Sequence, residues 1–192
     1  MGARDDGDSL CASLLSAYRE LHRRYHTLQH LGECVDLFER VRALAAHPAE
    51  VEIGLWFHDA VYDVHRSDNE ARSADRLREA APAAGIAEDA SERVCALIMA
   101  TRHAALPQGA DEQLLVDIDL AILGAGEARF AEYERQIRAE YAFVPEATFA
   151  TRRRALLAGF LDRERIYSTP RLHDELEQRA RANLARAIGA HA

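Results

Sequence analysis

The chain has 192 residues and a formal net charge of −8, and these two facts exclude several classes of protein. The length suits one domain that buries a full hydrophobic core. A general nucleic-acid binder or a protein that binds anionic membranes needs a net basic surface, which this composition does not provide. No apolar run approaches the ~20 residues that cross a bilayer, so no membrane-spanning segment is expected.

Cysteine usage and the first residues indicate a reducing compartment. Cys11, Cys34 and Cys95 are far apart and form no CxxC pair, so neither a disulfide framework nor a thiolate zinc site is expected. Residues 1–8 are acidic and polar and have no apolar segment like that of a signal peptide. We predict that residues 1–8 are disordered and that residues 9–188 form one domain of a cytoplasmic protein.

Apolar residues at helical spacing predict an all-α fold, a single bundle of seven to nine helices. Ser9 and Thr27 are the expected N-caps of the first two helices, and the second helix should end at His47 because Pro48 follows it. The third helix, from residue 49 to an end near 58–61, is apolar on all sides and should therefore be central. Later helices are predicted from Ser67 or Asp68 and over 88–101, 114–123, 127–141, 145–161 and 171–188.

One of these segments has an ambiguous period. The apolar run 114–118 fits a buried strand as well as a buried helix. We assign it as helix because no other stretch of the chain offers it a strand partner.

Three polar clusters lie within or beside the apolar segments. They are His26 with His30, His58 with Asp59, and Asp117 with Asp119. Buried polar groups cost free energy unless they are paired or bind a metal. Imidazole and carboxylate groups together suit Mn, Fe, Co, Ni, Zn or Mg. Each cluster also has an ordinary interpretation, as a helix cap, a surface histidine or an aspartate paired with an arginine.

The ordered pattern H…HD…D resembles that of the HD superfamily of metal-dependent phosphohydrolases. The chain is most similar to a branch of predicted phosphohydrolases with the longer blocks YH…H, WFHDxVYD…NExxSA and DxDLxILG. These blocks correspond to residues 25–30, 56–74 and 117–124, and the similarity continues through 137–141 to 181–184. The resemblance therefore covers most of the chain and implies an all-α HD domain.

The resemblance implies a set of residues that bind one divalent cation. The implied ligands are His30, His58, Asp59 and Asp119. His26 and Asp117 are the alternatives to the first and last of these, or they hydrogen-bond to the ligands and orient them. The number of bound ions, one or two, remains open.

The resemblance also implies hydrolysis of a phosphate ester or anhydride of a small molecule, with a nucleotide as the expected class. A divalent cation would polarise a phosphoryl oxygen and acidify a water molecule. Asp63 and Glu70 are the candidates for proton transfer, although Glu70 also suits a helix start, where carboxylates are favourable. The candidates for binding the substrate are His26, His103, Arg24, Arg138 and Arg153. In the ordinary alternative, each arginine forms an ion pair at the surface, and His103 is a surface residue at the end of a helix.

Two other functions remain open. A di-iron oxygenase would use His26 and His103 as additional ligands, and a nucleotide-binding sensor would keep the metal without catalysis. A ppGpp-type hydrolase shares the metal chemistry, although an attached synthetase domain is not expected in a chain of this length. An oligomer is compatible with the sequence, which does not fix the number of subunits.

Overall fold

The computed structural model describes the backbone of residues 5–189 and the side chains of residues 9–189. Within these residues there are nine α-helices and no β-strand, which confirms the predicted all-α class and the number of helices. The helices are α1 (Asp5–Ala17), α2 (Leu28–Val41), α3 (Pro48–Phe57), α4 (Asn69–Ala80), α5 (Glu88–Ala100), α6 (Ala110–Asp119), α7 (Glu127–Glu140), α8 (Glu146–Leu161) and α9 (Pro170–Ala187). Short 3-10 helices cover Arg42–Leu44 and Leu120–Gly124.

Three predicted helix ends differ from the structure, two in their position and one only in how it is capped. Residues 1–4 of the predicted disordered segment lie outside the described residues, while α1 begins at Asp5, so Ser9 lies inside this helix and does not cap it. Helix ends are weakly specified by sequence. Asp68 is the N-cap of α4, but its side chain does not cap the helix because the carboxylate pairs with Arg66 at 2.6 Å.

The third boundary is the end of α2, which stops at Val41 and not at His47. The carboxylate of Asp111 accepts hydrogen bonds from the main-chain N–H groups of Ala46, at 2.7 Å, and His47, at 3.0 Å. These bonds satisfy the two N–H groups outside a helix, so the chain leaves helical geometry before the proline.

By its own contacts the chain divides into two compact units, Met1–Ile118 and Asp119–Ala192. The boundary falls at the last residue of α6, so nine of the ten residues of that helix belong to the first unit. The prediction of a single domain over 9–188 stays a prediction.

In the first unit, α1, α3, α4 and α5 share an apolar core. Its buried members are Leu14, Phe57, Ala60, Ala74, Leu77, Val94, Cys95 and Ile98. Val51 and Leu55 of α3 are fully buried, as the prediction of a central third helix requires. Burial of this kind is the main favourable contribution to folding.

A glycine allows α3 to approach α5 and α6 closely. A Cβ atom at Gly54 would lie 2.6 Å from Cδ1 of Leu115 and 3.6 Å from Cβ of Leu97. Leu115 is itself fully buried, so neighbouring side chains leave it little room to move. His58 lies four positions after Gly54, and Asp119 lies four positions after Leu115, which is about one helical turn in each case.

In the second unit, α9 packs against the 3-10 helix Leu120–Gly124 and against α8. Tyr167 Oη donates to the carbonyl of Leu120 at 3.0 Å, and Asn183 Nδ2 donates to the carbonyl of Leu123 at 2.8 Å. These bonds satisfy carbonyls that the end of a helix leaves without partners. None of the helices in residues 5–189 has both the length and the apolar character needed to cross a membrane.

Candidate metal centre

His30, His58 and Asp119 form a group that could hold a metal ion. Each offers one ligand atom, and these atoms all lie within 4.8 Å of one another. The two histidines are 2% and 1% exposed, respectively, and Asp119 is half-buried. Among the residues that the structure describes, this is the one group of its kind.

The start of α2 places His30. The side chain of Thr27 accepts a hydrogen bond from the N–H of Gln29 at 3.3 Å, which confirms the predicted N-cap and fixes the first turn of the helix. His30 lies in that turn, with the ring of Tyr25 4.7 Å away. The sulfur of Cys34, one turn further on, lies 3.7 Å from Nδ1 and 3.8 Å from Nε2 of His30, so it packs against the ring.

His58 ends α3, and a main-chain carbonyl fixes its tautomer. Nδ1 lies 2.7 Å from the carbonyl oxygen of Leu55. Because a carbonyl can only accept, Nδ1 carries the proton and Nε2 presents its lone pair to the interior. This Nε2 lies 3.1 Å from Nε2 of His30. One shared proton or one cation would satisfy both nitrogen atoms. The side chains present are therefore suited to bind a metal ion.

Asp59 adjoins the same two imidazoles but is not a member of the three-residue group. Its Oδ2 lies 3.0 Å from Nε2 of His58 and 3.6 Å from Nε2 of His30. Burial alone would raise the pKa of Asp59, but the charges of His58, His26 and His30 and a hydrogen bond from His58, which these rings provide when they are protonated, lower it well below its ordinary value. The carboxylate is therefore ionised at neutral pH.

The two alternatives that the sequence left open do not belong to the group. The ring of His26 stacks on that of Tyr62, with centroids 4.0 Å apart, and lies 6.0 Å from the ring of His30. Asp117 is fully buried within α6, two positions before Asp119. The geometry thus brings together the preferred residues, His30 and Asp119, and leaves the alternatives beside them.

The loop after Asp59 is held by α4. Ser73 Oγ accepts a hydrogen bond from the N–H of Val61 at 3.0 Å. Asn69 exchanges two bonds with the main chain of Asp63, accepting from its N–H at 3.1 Å and donating to its carbonyl at 3.0 Å. Two polar positions of the NExxSA block therefore bind the backbone of this loop and stabilise its shape.

The two carboxylates predicted for proton transfer differ in their surroundings. Asp63 Oδ1 accepts from the N–H of His65 at 2.9 Å, so this side chain helps to form a turn. Glu70 is half-buried in the first turn of α4. Among the described residues its carboxylate makes no hydrogen bond or ion pair, and it is therefore available for chemistry.

Arg23 is a buried residue beside this site that the sequence did not single out. Its side chain is 0% exposed. Nη1 donates to the main-chain carbonyl of Asp59 at 2.6 Å, although 36 positions separate the two residues. No local pattern distinguishes Arg23 from Arg24, since only the folded chain brings the two loops together.

The structure gives Arg138 and Arg153 contacts inside the second unit. Arg138 pairs with Glu146 at 2.8 Å and donates to two carbonyls at the end of α7. Arg153 pairs with Glu134 and lies over the ring of Tyr133, 4.9 Å from its centroid. These contacts match the ordinary interpretation, an ion pair, and substrate binding by either arginine stays a prediction.

The remaining substrate-binding candidates lie in the first unit. Arg24 is exposed and lines a groove of about 300 Å³ formed by residues between 18 and 29. His103 is half-buried just after α5 and has a φ of 53°, a left-handed conformation that is uncommon for residues other than glycine. Neither belongs to the three-residue group, and their roles stay predictions.

Comparisons with known proteins add no relative. No protein-family model, no curated protein and no solved structure matches the chain. Membership of the HD superfamily therefore stays a prediction.

Proposed function

We propose that this protein is a metal-dependent phosphohydrolase of the HD type. It would hydrolyse a phosphate ester or anhydride of a small molecule, with a nucleotide as the expected class. One observation supports the proposal: the ligand atoms of His30, His58 and Asp119 lie within 4.8 Å of one another. These residues are far apart in sequence, and the H…HD…D resemblance implied each of them as a ligand. Asp59 completes the proposed ligand set from its position beside both imidazoles.

The donor set suits a borderline divalent ion. Two imidazole nitrogens and two carboxylates are compatible with Mn, Fe, Co, Ni or Zn, and less with Mg, which prefers oxygen ligands. When bound, the ion would supply Lewis acidity, which polarises a phosphoryl oxygen and acidifies nearby water. The protein's own part is to keep the ligands in one geometry, and the bond from His58 to Leu55 does so for one imidazole.

Glu70 is the better of the two candidates for proton transfer. Its carboxylate would take a proton from the attacking water or return one to the leaving oxygen. Glu70 lies on the same helix as Asn69 and Ser73, which bind the loop that follows Asp59. Asp63 serves the turn itself. Arg24, exposed on the groove at the start of α2, is the proposed contact for the anionic part of the substrate.

The test is phosphate release by chelator-treated protein to which Mn²⁺, Co²⁺, Ni²⁺, Zn²⁺ or Mg²⁺ is returned, on a panel of phosphomonoesters, phosphodiesters and nucleotides. We expect release that requires a metal ion and falls by roughly 100-fold or more in His58→Ala and Asp59→Ala, since even hydrogen-bond partners of metal ligands are worth about 10- to 100-fold. His47→Ala, whose side chain is 55% exposed, is the control. A metal-loaded protein that cleaves nothing in the panel would contradict the proposal.

A further inference from the structure

Arg23 joins the two backbone segments from which three of the four proposed ligands extend. Nη1 donates to the carbonyl of Asp59 at 2.6 Å and to that of His26 at 3.3 Å, and Nη2 lies 3.5 Å from the carbonyl of Ala60. The first and last of these carbonyls follow α3. The carbonyl of His26 lies immediately before Thr27, the N-cap of the helix that carries His30.

This guanidinium group is fixed on every side. The exposed carboxylate of Glu20 accepts from Nε and lies 3.0 Å from Nη2. The rings of Tyr18 and Tyr62 lie 5.3 Å and 5.6 Å from Cζ of Arg23. A buried cation costs free energy unless its hydrogen-bonding capacity is used, and here an anion, three carbonyls and two ring faces use it.

We propose that Arg23 is a positioning residue for the metal centre, setting the separation between the start of α2 and the end of α3 and hence the affinity of His30, His58 and Asp59 for a cation. This inference rests on the proposed function, because it requires that these side chains bind metal. Arg23 acts through the main chain, since its bond is to the carbonyl of Asp59 and not to the carboxylate. Its planar fork holds donors apart on separate nitrogen atoms, whereas a lysine presents all its donors from a single nitrogen.

A purely structural role would give a different result from a positioning role, and two other arginines provide the comparison. Arg181 has the same kind of surroundings in the second unit, where it pairs with Glu177 and donates to the carbonyls of three residues: Leu161, Arg163 and Glu164. Arg76 donates to the carbonyl of Ala60 at 2.8 Å but has no bond to Asp59 or His26. Loss of either should affect stability without affecting the separation of the ligands.

The experiment is a calorimetric titration of chelator-treated protein with Co²⁺, together with the visible absorption of the Co²⁺ complex, below the unfolding temperature of each variant. We expect Arg23→Lys and Arg23→Met to bind Co²⁺ about 10- to 100-fold more weakly than the wild type, the range for residues that orient metal ligands. Their absorption spectra should differ from that of the wild type. Arg181→Met and Arg76→Met should unfold at lower temperature yet keep the wild-type affinity and spectrum.

Folded Arg23 variants with wild-type Co²⁺ affinity and spectrum would overturn the inference. If neither variant folds, the same titration is made on Glu20→Gln. Glu20 is 46% exposed, and its substitution weakens only one of the contacts of Arg23. We then expect an affinity reduced by at least about 3-fold, and an unchanged affinity would overturn the inference. A wild-type protein that binds no Co²⁺ would instead overturn the proposed function and this inference with it.

Discussion

At the scale of single residues, hydrogen bonds to the main chain determine what each polar side chain can do. The carbonyl of Leu55 holds the proton on Nδ1 of His58, which directs the other nitrogen toward His30. Asn69 and Ser73 bind the backbone of the loop after Asp59. Glu70, between them in sequence, keeps its carboxylate available. Neighbouring residues of one motif thus differ in their contacts, and only Glu70 is left for the proposed proton transfer.

Replacing Glu70 tests this proposed role. We expect Glu70→Gln to retain Co²⁺ affinity and thermal stability but to lose phosphate release by about 100- to 10,000-fold, the usual contribution of general acid–base catalysis. Asp63→Ala should behave in the opposite way, with a lower unfolding temperature because the turn loses the hydrogen bond from the N–H of His65 to the Asp63 carboxylate. Turnover rates and thermal unfolding of both variants provide the measurement, and full activity in Glu70→Gln would remove this residue from the mechanism.

Glu177 gives the second unit a dependence on pH. Burial would raise its pKa, but hydrogen bonds from the N–H groups of Ile166 and Tyr167 and from Arg181 lower the pKa below its ordinary value. Because the folded-state pKa is the lower one, the stabilisation is present above the unfolded-state pKa of about 4.3 and is lost as the pH falls through the folded-state pKa.

We therefore expect Glu177→Gln to reduce the free energy of unfolding by about 1–3 kcal/mol at pH 7, with a smaller difference at pH 3. Urea unfolding at the two pH values measures it. Asp174→Asn, at an exposed position of the same helix, should have little effect at either pH. An equal loss in Glu177→Gln at both pH values would show that the charge of Glu177 does not contribute.

At the scale of helices, α3 and α6 are in close contact at Gly54 and Leu115. Gly54 allows that contact because a Cβ atom there would lie 2.6 Å from Leu115. Gly124 has a comparable role in the second unit, where a Cβ atom would lie 2.8 Å from Cβ of Leu176 and 3.0 Å from its carbonyl oxygen. Both glycines are close-approach positions, and neither has a positive φ.

We expect Gly54→Ala to lower the free energy of unfolding by about 1 kcal/mol. Alanine improves helix propensity by about 1 kcal/mol, but overpacking a filled core costs about 1–3 kcal/mol. Gly32→Ala is the matched control, since a Cβ atom there meets nothing within 4 Å in the middle of α2, and it should stabilise by about 0.5–1 kcal/mol. Equal gains from both substitutions, measured by denaturant unfolding, would contradict the close packing of α3 on α6.

The elements that the sequence predicted well are those in which local chemistry and periodicity agree. Thr27 caps α2 through its own side chain, and the apolar run 114–118 falls inside α6. The failures come from side-chain contacts that helical periodicity does not reveal. The end of α2 depends on Asp111, 64 positions beyond His47, and Asp68 does not cap α4 because Arg66 takes its carboxylate.

The candidate site shows the same limit. The resemblance to the H…HD…D pattern implied His30, His58, Asp59 and Asp119 as ligands, and the first, second and last of these form the group that the structure brings together. The contact of Arg23 with Asp59 could not be predicted, because its partner is a main-chain carbonyl 36 positions away. Every residue has such a carbonyl, so the sequence does not indicate which one is bound. Nor could the sequence reveal that Arg138 is bound to the end of its own helix.

At the scale of the whole molecule, the proposed function places a cation and an anionic substrate in a chain of net charge −8. Such a surface repels phosphates at long range, so binding depends on local charge. A bound cation and Arg24, on its groove, would supply it. The metal is therefore expected both to create the binding site and to stabilise the fold, by about 2.7 kcal/mol at a concentration 100 times its Kd.

The most direct test of the central claim is the number of Co²⁺ ions bound per chain, measured by equilibrium dialysis of chelator-treated wild type, His30→Ala, His58→Ala and Asp119→Ala, with His47→Ala as control. The account predicts one ion per chain in the wild type and in the control. It predicts a weakening of at least about 100-fold in each of the other three, since hydrogen-bond partners of ligands already contribute about 10- to 100-fold. Wild-type protein that binds no ion, or binding that survives the loss of the His58 imidazole unchanged, would contradict it.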